Sequence, residues 1–68
     1  MDDATHSVGF GDIVSAKGRS LRMLVVDVML GDVVLVAWPV MVAGRRMIRE
    51  NIMHASGLTL IERAGPRI

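Results

Sequence analysis

From Val33 to Val42 every residue is apolar, ten in a row reading VVLVAWPVMV, with Pro39 inside the run. A proline in a helix interior removes a hydrogen bond and clashes with the preceding turn, so this run is not a helix centre. Nor is it a membrane span. The wider stretch from Met23 to Gly44 has spanning length but carries Asp27 and Asp32, each costing about 2.5–3.5 kcal/mol near a bilayer centre. The uninterrupted part is about half of the roughly 20 residues that a span needs. Valine, leucine and a tryptophan bounded by Gly31-Asp32 and Gly44 instead describe strands joined by tight turns.

The same reading extends along the chain. Strands are expected at residues 12–16, 22–30, 33–40, 45–52 and 58–62. The connectors KGRS, LGD, VAG and MHASG each hold a glycine, which tolerates the positive φ of a tight turn. The segment RENIMHAS admits one short helical turn as an alternative. No repeat, linker or low-complexity tract divides the chain, so residues 1–68 form one domain. Five short strands on tight connections predict an all-β fold, a small SH3-like five-stranded barrel.

A chain of 68 residues buries only about 60% of its unfolded surface, and domains of this size draw support from disulfides, metals or oligomerisation. There are no cysteines, which removes the first route and any thiolate zinc site. His6 and His54 stand far apart with no ligand pattern around them, so neither a metal nor another cofactor is expected. Oligomerisation is left. The opening MDDATHSVGF has neither the basic nor the apolar region of a secretory signal, and the expected location is cytoplasmic.

Both faces of the central strands are apolar. On alternation, strand three sets Val34, Val36, Trp38 and Val40 against Val33, Leu35, Ala37 and Met41. Strand two sets Leu24, Val26, Val28 and Leu30 against Met23, Val25, Asp27 and Met29. One face of each fills the inside; the other faces outward. Leaving it wet forgoes roughly 1.5–3 kcal/mol per large side chain, so the outward face is expected to bury itself against another copy or another protein, the alternative being that the chain's own tails or closing strand cover it. The candidate interface is Val33, Leu35, Met41, Met23, Val25 and Met29.

Charge gives a second candidate site. Eight basic residues against seven acidic leave a net charge of +1, too little for a global field that attracts nucleic acid. Locally, Lys17, Arg19 and Arg22 in the first hairpin could join Arg45, Arg46 and Arg49 to make an anion-binding or nucleic-acid-binding rim. Arginine pairs bidentately with phosphate or carboxylate. The competing reading is a solvated strand edge whose charges discourage edge pairing.

Catalysis has little footing. Ser7, Ser15, Ser20 and Ser56 are hydroxyl nucleophiles without a spacing that assigns them a base, and no enzymatic activity is expected. The Gly11-Asp12-Ile13-Val14 word reads as architecture: aspartate accepts hydrogen bonds from nearby backbone donors where an irregular segment turns into a strand.

Phe10, Gly11, Asp12, Ile13 and Val14, the Lys17-Gly18 turn, Arg22-Met23, Trp38 after a valine run and the close LTLI together resemble the YodC-like family of small bacterial proteins. That resemblance implies a small β-barrel and no particular activity. Gly11, Asp12, Val14, Lys17 and Gly18 are also similar to the KOW motif of ribosomal and transcription-elongation proteins, which implies RNA contact. The opening around Phe10 and the LIERA close are similar to plasmid-borne trimethoprim-resistant dihydrofolate reductases, whose active site forms at the centre of a tetramer. The tyrosine and glutamine of that site are missing here, since the chain has no tyrosine and no glutamine. The sequence therefore points to a non-enzymatic, self-associating interaction module. A nucleic-acid-binding barrel is the alternative, and an oligomeric enzyme with a site at its symmetry axis comes last.

Overall fold

Each glycine connector becomes a turn, and the apolar runs between them become strands. A computed structural model describes residues 8–64; His6 and Ser7 lie outside the described residues. The strands are β1 (Ile13–Ala16), β2 (Met23–Met29), β3 (Val33–Val42), β4 (Arg45–His54) and β5 (Leu58–Glu62). A single 3-10 turn, Ala55–Gly57, joins β4 to β5. The helical alternative for RENIMHAS shrinks to that turn, because Arg49 to His54 continue β4.

The chain is all-β, with its strands antiparallel in one five-stranded sheet ordered β4-β3-β2-β1-β5. Consecutive strands β1 to β4 form a meander, and β5 returns to pair with β1. Among the described residues this leaves β4 and β5 as the two edges of the hydrogen-bonded ladder. The 3-10 turn is tied to the β2–β3 connection by the Ala55 N–H donating to the Asp32 carbonyl at 2.9 Å. Ala55 is thereby buried with the core.

One face of the sheet makes that core. Val14, Val25, Val34 and Val36 are its fully buried side chains, joined by Val8, Met23, Ala55 and Leu58. Ala16, Trp38, Met53 and Leu60 pack against them. Valine on a pleated surface suits this arrangement, since its branched side chain stacks on neighbours at little rotamer cost.

Two irregularities set where the rest of the sheet points. In β2 the register against β3 shifts between Val25 and Asp27: Val25 pairs with Val36, and Asp27 pairs with Leu35. Val26 is the extra residue of a β-bulge, and a bulge reverses the alternation of everything beyond it. Met23 and Val25 face the core, whereas Asp27 and Met29 share the outer face with Leu35 and Val33.

The second irregularity is one of length. β2 pairs with β3 only over Val33 to Ala37, but β3 pairs with β4 over all ten residues, from Val33–His54 to Val42–Arg45. The five pairs from Trp38–Arg49 to Val42–Arg45 form a two-stranded arm beyond the sheet. Pro39 lies in this arm, where β3 has no neighbour on its β2 side. That is where a strand residue without an N–H is tolerated.

Candidate functional site

The pleat sorts the long hairpin into two surfaces, because directly paired residues of an antiparallel ladder share a face. The outer face carries Val33, Leu35, Ala37, Pro39 and Met41 of β3 opposite His54, Ile52, Glu50, Ile48 and Arg46 of β4. Met29 and Asp27 extend it onto β2. Leu24, opposite Ala37, extends it further.

This outer surface is apolar and largely open. Met41 is 67% exposed, Ile48 63% and Ile52 59%, while Val33, Leu35 and Met29 are half-buried. Nine of the ten β4 residues are exposed, Met53 being half-buried. Contiguous apolar surface of this kind marks an interface more often than it faces water.

Of the expected interface residues, Val33, Leu35, Met41 and Met29 lie on this face. Met23 and Val25 do not. Both are buried in the core of the chain itself, because the bulge at Val26 puts them on the opposite side from Met29. Sequence reasoning also missed three contributors: Leu24 in β2, and Ile48 and Ile52 in β4. The alternation of β4 puts Ile48 and Ile52 together, but only the register with β3 reveals that they border Leu35 and Pro39.

The inner face of the hairpin is different. A groove with a cavity volume of about 280 Å³ opens between the β1–β2 connection and the base of the arm. Ala16, Leu21, Met23, Trp38 and Met53 form its apolar lining, with Arg19 and Asn51 as its polar members. Arg49 pairs directly with Trp38 and shares its face. The groove is mostly apolar, and Arg19 on its wall favours a neighbouring negative charge.

The basic residues do not form one rim. Lys17, Arg19 and Arg22 are exposed at and after the β1–β2 turn, and Arg45, Arg46 and Arg49 are exposed on β4. Along β4, Arg45 and Arg49 lie on the inner face and Arg46 on the outer. Arg19 and Arg49 both border the tryptophan side of the hairpin, and Arg46 belongs to the apolar outer surface.

Asp12 is an architectural residue. It is buried, 3% exposed, and its Oδ2 accepts the Gly9 N–H at 2.8 Å while Oδ1 accepts the Ala64 N–H at 2.7 Å. Its backbone joins the same knot: the Val25 N–H donates to the Asp12 carbonyl at 2.9 Å. Ser15 is buried inside β1. Among the described residues no cluster of three or more His, Asp or Glu could hold a metal ion, and no helix is long and apolar enough to cross a membrane.

The chain matches no protein-family model, no curated protein and no solved structure.

Proposed function

We propose that this chain is a non-enzymatic interaction module that associates with itself through the outer face of the β3–β4 hairpin and the adjoining part of β2. The observation that carries this reading is the arm. Its two strands extend five residue pairs beyond β2, and apolar side chains stand on both of its surfaces. A two-stranded ribbon is marginal in water without a third strand or a packed face. A second copy supplies what is missing, and closed symmetric association is the commonest way for one chain to do so. The reading fits the resemblance to the small YodC-like bacterial proteins and, with no cysteine in the chain, a cytoplasmic location.

Light scattering across a wide dilution range tests it. A discrete multiple of 7.4 kDa that dissociates on dilution supports the reading, and a monomer at every concentration refutes it.

The KOW-like alternative draws on Arg19 and Arg49, which border the same groove side as Trp38. It is the weaker of the two, because Arg46 stands on the other face and the chain has only two aromatic residues, Phe10 and Trp38, for base stacking. Salt-sensitive retention of a single-stranded oligonucleotide would favour it.

A further inference from the structure

β4 is a long and regular edge strand. It runs ten residues, nine of them exposed, and its ladder with β3 has no register shift. It contains no proline, no glycine and no lysine. Natural edges are normally blunted by short length, bulges, prolines or charged side chains, because unpaired N–H and C=O groups template pairing with another chain; of these guards β4 has the charges of Arg45, Arg46, Arg49 and Glu50. The other edge, β5, has half this length, and the register of its ladder with β1 shifts between Ile13 and Val14.

We propose that β4 pairs antiparallel with β4 of a second copy, in the register that sets Ile48 against Ile48 at the two-fold axis. The inference rests on the reading of the chain as self-associating and adds a contact along the β4 edge to the one proposed for the outer face. Two copies related by a two-fold axis perpendicular to the sheet keep their inner and outer faces aligned. Each odd-numbered residue then meets an odd-numbered one and each even an even. Only a handful of registers satisfy this, and the charges choose among them. Centring on Arg46, Arg49 or Glu50 sets that charge against itself. Centring on Met47 sets Arg45 against Arg49, and centring on Asn51 or Ile52 pairs no carboxylate with an arginine.

Centring on Ile48 sets Arg46 of each copy directly opposite Glu50 of the other, twice, on the outer face beside the isoleucine pair. On the inner face it sets Met47 against Arg49 and Arg45 against Asn51, with no like charges opposed. Opposite charges directly across an antiparallel pair stabilise it, and like charges oppose it. The arginines and the glutamate of RMIRE therefore select one register of the edge instead of guarding it. The result is a continuous sheet in which the outer apolar surfaces of both copies adjoin.

Because the chain has no cysteine, single-cysteine variants read the register directly. Under mild oxidation Ile48→Cys should give a covalent dimer. Ile52→Cys should not, since the two positions 52 stand eight residues out of step, about 27 Å apart at strand spacing. Charge reversal gives an independent readout by light scattering. Arg46→Glu and Glu50→Arg should each weaken self-association on the order of tenfold, and the double variant, or an equimolar mixture of the two single variants, should recover it. If the protein has an oligomeric mass but Ile52→Cys cross-links as readily as Ile48→Cys, or the charge reversals leave the mass unchanged, this register is overturned and the self-association reading stands. If the unmodified chain is monomeric at every concentration, both fall.

Discussion

The carboxylate of Asp12 accepts the amide hydrogen of Ala64 at 2.7 Å across 52 residues of sequence, and its other oxygen holds the amide of Gly9 at 2.8 Å. One side chain thus ties the segment entering β1 to the segment leaving β5. Gly11 makes room for this closure. Its φ is +90°, and a Cβ there would come within 3.2 Å of the Ala64 Cβ.

Asp12→Ala leaves two amide donors without their charged acceptor, and hydrogen bonds to charged groups contribute about 1.5–3 kcal/mol each. The expected loss is about 2–4 kcal/mol of stability, read as a lowered urea midpoint. An unchanged midpoint would show that water satisfies these amides equally well.

The two-residue turn between β3 and β4 holds Ala43 at φ 51° and Gly44 at φ 77°. Left-handed backbone costs an L-residue with a Cβ about 1–2 kcal/mol, and asparagine is relieved of part of this by its local hydrogen bonds. Ala43→Asn should therefore raise the urea midpoint by the equivalent of about 0.5–1 kcal/mol at constant slope. A fall in the midpoint would mean that alanine makes a contact there which asparagine loses.

Opposite outcomes are expected from two glutamate substitutions only ten positions apart. Leu35→Glu, on the outer face, should give a folded chain of reduced oligomeric mass. Val25→Glu, in a fully buried position, should abolish folding, because an isolated buried carboxylate costs far more than so small a core can supply. Circular dichroism with light scattering separates the two results, and a folded Val25→Glu variant would contradict the burial of Val25 in the core.

If an oligonucleotide is retained at low salt, its affinity should fall with Arg19→Ala and Arg49→Ala and stay unchanged with Arg46→Ala. Fluorescence of Trp38, the one tryptophan, should report that binding directly. Equal losses from all three variants would place the nucleic acid around the edge of the hairpin instead of in the groove.

The fold was legible because turn chemistry is local. Gly18, Gly31 and Gly44 take the positive φ that their turns require, so the five strands fall where the glycines leave room for them, and β5 occupies the expected residues 58–62. Asp12 was legible for the same reason, since an aspartate at the entry to a strand finds backbone donors nearby. Two strands ran longer than the pattern suggested, whereas β1 and β2 fell a residue or two short of it. β3 continues past Pro39 to Val42 and β4 reaches His54, because each is held by its partner across the ladder and not by its own composition.

Inside and outside were decided by tertiary structure. Strands that are apolar on both faces carry no periodic signal of which face is buried, and the bulge at Val26 turned Met23 and Val25 inward while leaving Met29 outward. The position of β4 at the edge is likewise a property of strand order, which no single strand encodes. The sequence by itself determined the strands, their turns and a surplus of apolar surface, since these depend on near neighbours. Only the pairing of distant strands decided which residues compose that surface, because a side chain's face is set by register.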